Sequence, residues 1–208
     1  KKNLKIVVKK ICKKSKEIFL VKQTHSNKFL FLSKNTKIKN RSIAADAIIT
    51  DKKDFPIAVL TADCVPILLF DKKRKMIAAI HAGWRGAFKG VISKVINFML
   101  KNGCDRKDIT AAIGPSIAQK NYNVKLDFKN KFIKKHKKNK IFFKNRNKLI
   151  YFDLPNYIKS QLKFNKISKI DMINIDTYDK KNNFFSARRS IKLRHDDYGR
   201  NISIIMIN

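Results

Sequence analysis

Between Ile57 and Met99 the chain changes its hydrophobic period once, and that switch constrains the fold more than any other feature. Ile57–Thr61, Pro66–Phe70 and Met76–Ile80 are apolar runs of strand length. The segment Asp71-Lys72-Lys73-Arg74-Lys75 between the last two predicts a hairpin turn. After His81 the period lengthens. Phe88, Val91, Val95 and Met99, with Ile92 and Ile96, fall on one helical face, and Asn102-Gly103 supplies a stop. Strands that give way to a helix across a tight junction predict mixed sheets flanked by helices, an α/β (α+β) sandwich.

The rest of the chain fits that frame. Leu4, Val7, Val8, Ile11 and Cys12 predict an amphipathic helix over residues 3–14. Ile18–Val21 and Phe29–Leu32 read as strands flanking the polar turn Gln23-Thr24-His25-Ser26-Asn27, and Ala47–Thr50 reads as another. Thr110–Ile113 is a strand ended by Gly114-Pro115. Residues 124–136 have helical character, and the lysine-rich run 134–140 predicts a solvated turn. Asp153 caps a helix with Pro155 in its first turn and Leu154, Ile158 and Leu162 on its apolar face. Ile170–Ile175 and Ile202–Ile207 complete the strands. No internal repeat or long linker interrupts the 208 residues, so one domain over 1–208 is expected.

The formal charge is +34, and Glu17 is the sole glutamate. Such a chain attracts polyanions in a salt-dependent way. The lysines are spread over the whole length, however, and no RNA-recognition, zinc-finger or helix-turn-helix signature accompanies them, so no specific nucleic-acid partner is expected. Abundant Lys, Asn and Ile together are also what AT-rich codon usage produces. The longest apolar stretch, Ile57 to Phe70, is broken by Thr61, Asp63 and Pro66 and is too short for a membrane span. Nothing resembles a signal peptide. Three cysteines, Cys12, Cys64 and Cys104, do not suggest a disulfide framework, which points to a reducing cytoplasm.

Two constellations carry candidate chemistry. Thr61-Ala62-Asp63-Cys64-Val65-Pro66 puts polar residues at the junction of two apolar runs. Cys64 there is either a small core residue or a reactive one, and Asp63, if buried, needs a partner. His81-Ala82-Gly83-Trp84-Arg85-Gly86 makes a tight strand-to-helix turn whose helix start offers free N–H groups, and Arg85 beside it could attract an anion. It is not a P-loop, since the Lys-Ser/Thr pair is missing. Only four histidines occur, and His25 shares with His81 a place at a strand or loop junction. Two imidazoles and a thiolate, His25, Cys64 and His81, could hold Zn²⁺ with a fourth position open. The gaps between them match no zinc-finger spacing. Near the C-terminus, Arg188 and Arg189 could bind phosphate or could pair with Asp196 and Asp197.

The order of these pieces adds more than any one of them. Gln23-Thr24-His25-Ser26, Asp46-Ala47 with Thr50, Thr61 to Pro66, His81 to Gly86, Ile113-Gly114-Pro115-Ser116-Ile117, Phe184-Phe185-Ser186 with Arg188-Arg189, and Tyr198-Gly199-Arg200 form a series. It resembles the YfiH or laccase-domain family, also named polyphenol oxidase and peptidoglycan-editing factor. The resemblance runs from about residue 20 to the C-terminus. It implies a mixed α/β sandwich like that of cysteine-hydrolase toxins, and zinc held by His25, Cys64 and His81. The activity it implies is purine nucleoside phosphorolysis of adenosine, inosine and methylthioadenosine, with adenosine deamination; copper is the metal of older family descriptions. On that reading Asp63, with Cys64 and His81, takes part in catalysis as a proton carrier, and Arg85, Arg188 or Arg189 holds phosphate. The partners are then a purine nucleoside and phosphate, with no membrane and a monomeric state expected.

Two further readings stand beside it: Cys64 as nucleophile with His81 as base in amide hydrolysis of a cell-wall precursor, and a non-enzymatic polyanion binder. The chain departs from the family pattern in starting after an N-terminal strand region, without an initiator methionine. It also carries Asp176 where many members have Cys, and Ala187 where many have Tyr.

Overall fold

A computed structural model describes residues 2–11, 17–33, 36–195 and 198–208. The elements run α1 (Lys2–Ile11), β1 (Phe29–Leu32), β2 (Ala47–Thr50), β3 (Ile57–Thr61), β4 (Val65–Asp71), β5 (Met76–Ala82), α2 (Trp84–Phe88), α3 (Val91–Lys101) and β6 (Ile109–Ile113). They continue with β7 (Asn123–Val124), α4 (Leu126–Lys135), β8 (Phe143–Arg146), β9 (Leu149–Phe152), α5 (Leu154–Phe164), β10 (Lys169–Met172), α6 (Ala187–Lys192) and β11 (Asn201–Ile205).

The centre is a six-stranded sheet in the order β1-β2-β5-β4-β6-β10. Its middle is antiparallel, and each edge pair, β1 with β2 and β6 with β10, is parallel. β5 is buried at all seven positions, because both of its faces are covered. On one face Ile49, Ile67 and Ile80 meet Val95 and Ile96 of α3 and Ile158 of α5. On the other face Ile48, Ile77 and Ala79 meet Ile57 and Val59 of the antiparallel β3–β11 pair. α1 sets Val8 against Ala58, Ile18 and Leu20 on the far side of that pair. The result is a layered, mixed α/β sandwich, as the period switch predicts. Deleting a core side chain such as Ile67 or Ile80 costs about 2–5 kcal/mol.

Several local expectations change. Residues 18–21 are extended but make only the isolated bridges Phe19–Ile57 and Lys22–Ala44 in their neighbourhood. The helix after His81 is two helices, broken at Gly90, whose φ of 81° is left-handed. The lysine-rich run 134–140 is solvated as expected, but residues 137–142 take a 3₁₀ turn whose last residue, Phe142, is buried. The β8–β9 hairpin has no apolar alternation to announce it; its turn rests on left-handed Asn147 and Lys148. α6 is too short for a periodic signal and is set by its cap, Ser186 accepting from the Arg189 N–H. The expected helix residue Cys12 and the expected ion-pair partners Asp196 and Asp197 lie outside the described residues.

Candidate metal centre

Three chain segments converge at one end of the central sheet. His81 is the penultimate residue of β5, Cys64 sits in the turn from β3 to β4, and His25 lies on the loop before β1. Their ligand atoms all lie within 4.8 Å of one another. The Cys64 Sγ is 3.7 Å from His25 Nε2, and the two imidazoles meet edge to face with centroids 4.8 Å apart.

Each side chain is held by a specific device. Asp46, at the start of β2 and fully buried, organises two of the three. Its carboxylate accepts from His81 Nδ1 at 2.8 Å, and from the backbone N–H groups of Thr24 (3.2 Å), His25 (2.9 Å) and Ser26 (2.5 Å). The Ser26 and Thr24 hydroxyls add donors at 2.6 and 3.4 Å. One carboxylate therefore fixes the His81 ring and wraps the His25 loop, where His25 takes a left-handed φ of 56°. With Nδ1 donating to Asp46, His81 presents Nε2 as the ligating nitrogen once a metal displaces its proton, the usual supporting arrangement behind a metal-bound imidazole.

Cys64 follows Asp63, whose φ of 82° turns the chain sharply. Asp63 is nearly buried, and both of its oxygens are engaged: Thr177 Oγ1 donates at 2.8 Å and the Arg188 N–H at 2.6 Å. Its carboxylate pins the Cys64 turn to α6. Gly83 completes the approach. A Cβ there would lie 2.9 Å from Cys64 Sγ and 2.9 Å from His25 Cδ2, so only glycine leaves room for both.

The electrostatics follow from this geometry. Burial pushes the Cys64 thiol up, but hydrogen bonds and charge from His25 and His81 outweigh it and bring it down to about 7. Burial pulls His81 down, but Asp46 and Cys64 together hold it up at about 9. Burial likewise opposes ionisation of Asp46, and the bonds from His81 and Ser26 win, lowering it to about 2. Cys104 goes the other way: burial and the nearby Asp71 raise it to about 12.

The arginines expected to serve the site each have other partners. Arg189 donates to the carbonyls of Thr177, Tyr178 and Phe184. Arg188 donates to Asn123 and lies over the Tyr122 ring. Arg85 is exposed and lies over Trp84. None of the three lines the 340 Å³ cavity onto which His25, Cys64 and His81 open; Lys22, Arg41 and Arg200 do. Asp46 behind His81, and Arg41 and Arg200 on the cavity lining, are residues that sequence reasoning did not single out. Their only signal was membership of the motif series for Asp46 and Arg200; Arg41 had none. Asp176 accepts from Ala118 N, Tyr178 N and Asn121 Nδ2 and so serves as a structural tie.

Two imidazoles and a thiol of lowered pKa, converging at a sheet end with one histidine backed by a buried carboxylate, make a group that could hold a metal ion in a mixed α/β sandwich. The chain belongs to the family described as multi-copper polyphenol oxidoreductase laccase, whose profile matches residues 1–208. It is 35% identical over 191 residues to a purine nucleoside phosphorylase of Rickettsia conorii, covering 91% of this chain and 77% of that protein. A purine nucleoside phosphorylase of Rickettsia prowazekii is 34% identical over 183 residues, covering 87% and 74%. Among solved structures, the hypothetical protein YfiH of Bacillus licheniformis superposes with a TM-score of 0.87 at 24% identity, over 100% of this chain and 80% of that one, which shows the fold. No helix among the described residues is long and apolar enough to cross a membrane.

Proposed function

We infer that this chain is a zinc-dependent purine nucleoside phosphorylase, acting on adenosine, inosine and methylthioadenosine, with adenosine deamination as a second activity. The observation that carries the reading is the convergence of His25, Cys64 and His81 within 4.8 Å in a chain whose relatives are named purine nucleoside phosphorylases. The donor set fits zinc: two nitrogens and one sulfur make three corners of a tetrahedron and leave the fourth open. It does not fit laccase chemistry, which needs several copper centres, since this is the one such group among the described residues.

A bound zinc supplies Lewis acidity at its open position. The protein's own part is positioning. Asp46 holds the His81 proton on Nδ1, so that Nε2 is the nitrogen that would ligate on losing its own proton to the metal's competition. The lowered pKa of Cys64 makes its sulfur an anionic ligand near pH 7. Asp63, with both oxygens held inside the fold, orients the Cys64 turn rather than carrying a proton. The cavity, at 340 Å³, is within the range of small-molecule sites. A reducing cytoplasm would keep the Cys64 thiol available for this role.

The test is inosine phosphorolysis before and after chelation, with zinc added back. Loss on chelation, recovery with zinc and absence in Cys64→Ala support the reading; activity indifferent to all three sinks it. The lowered Cys64 pKa also favours a second reading, amide hydrolysis with Cys64 as nucleophile and His81 as base. A covalent adduct with a thiol-reactive substrate analogue in metal-free protein would select that one.

A further inference from the structure

We propose that Arg41 and Arg200, with Lys22 beside them, form the inorganic phosphate subsite of the triad cavity. This rests on the phosphorolysis reading and assigns its second substrate.

The argument is one of charge and placement. Lys22, Arg41 and Arg200 line the same 340 Å³ cavity as His25, Cys64 and His81, and no carboxylate lines it among the described residues. Asp46, the nearest acid to the triad, sits behind His81 and is fully buried. A nucleoside is neutral, and nothing in its recognition calls for three cations around one small cavity. The phosphate that attacks it is a dianion near neutral pH, and it needs donors fixed in place.

Both arginines are exposed side chains on backbone that the fold anchors. The Arg41 N–H donates to the Leu20 carbonyl at 2.9 Å. Its neighbour Asn40 accepts from Leu20 N and donates to the Ile18 carbonyl, so the Arg41 loop is stitched to the segment that carries Lys22. Arg200 lies over the Tyr198 ring, 3.9 Å from its centroid, and its Nη1 donates to the Tyr198 and Gly199 carbonyls. The next residue, Asn201, exchanges two hydrogen bonds with the Phe185 backbone. Gln23 does not compete for an anion, because its side-chain amide bonds the Leu60 N–H and carbonyl together. The subsite is therefore assembled from three stretches of chain, around residues 22, 41 and 200. It stands apart from Arg188 and Arg189, neither of which lines the triad cavity.

Steady-state phosphorolysis by the zinc-loaded protein, with phosphate and inosine varied separately, tests the assignment. Arg200→Gln and Arg41→Gln should each raise the phosphate KM by about tenfold or more, with the inosine KM within about twofold of the unsubstituted chain. Arg200→Lys should recover part of the loss. Lys101→Gln, an exposed substitution at the end of α3, controls for the general loss of a positive charge. A phosphate KM unchanged in both arginine variants, or raised equally by Lys101→Gln, overturns the proposal. In parallel, titration calorimetry with inorganic phosphate is run on the same proteins. If the unsubstituted chain shows no phosphorolysis, the functional reading fails by itself, and the subsite then stands or falls on whether Arg200→Gln and Arg41→Gln abolish phosphate binding.

Discussion

Replacing Asp46 by Asn removes one charge from the centre of the site and changes almost no volume. Two routes give its cost. A buried carboxyl held from 3.8 down to about 2 contributes ~2.5 kcal/mol to folding at neutral pH. Breaking one partner of a buried charge pair generally costs about 3–5 kcal/mol, and Asn retains part of the hydrogen bonding. A loss of ~3 kcal/mol in the metal-free protein corresponds to a fall in Tm of about 6–12 °C for a chain of this size. The loss also has a pH signature. Asp46 has a lowered pKa, so its contribution is present above pH 4 and disappears as pH falls through about 2. His81 has a raised pKa, so its contribution is complete below about 6.5 and disappears as pH rises through about 9. The Tm difference between the two proteins should therefore be largest between about pH 4 and 6.5 and shrink on either side. If the amide NH₂ faces His81, Nδ1 must become an acceptor and the proton moves to Nε2, which removes a metal ligand; zinc affinity should fall about 10–100-fold. Thermal melts of metal-free protein across pH, with competitive zinc titration, check both. Melting within 1 °C of the unsubstituted chain at pH 6, with unchanged zinc affinity, would refute the reasoning.

Three other outcomes are expected. In metal-free protein at pH 7, iodoacetamide should alkylate Cys64 much faster than buried Cys104, and zinc should protect Cys64; peptide mapping by mass spectrometry reads this, and equal rates would contradict the pKa ordering. Gly83→Ala has an ordinary backbone to occupy, φ −71° and ψ 164°, so the fold should survive, while the new Cβ displaces Cys64 or His25 and lowers zinc affinity by about tenfold or more. Unchanged affinity there would mean the three ligands do not act together. Arg189→Ala should destabilise the chain by about 2–4 kcal/mol in urea unfolding through loss of its carbonyl bonds, and leave the phosphate KM of the folded protein unchanged. A large KM effect would return Arg189 to the phosphate site.

The sequence by itself determined the layers and the candidate ligands. The period switch around His81 announced a sheet with helices packed on it, and β4, β5 and α3 lie close to where the apolar runs put them. His25, Cys64 and His81 were legible through the ordered series of motifs that resembles the family, while their spacing alone matched no metal site. Tertiary structure decided what surrounds them. Asp46 looks like an ordinary strand-start acid until β2 pairs with β5 and lays it against His81, thirty-five residues away. Arg41 and Arg200 come to one cavity only because β11 closes on β3 and the 17–22 segment runs beside the Asn40 loop. Periodicity records what a side chain is buried against locally. Which carboxylate orients a histidine, and which cation faces an anion, depends on through-space approach, and the sandwich, not the sequence order, sets that distance.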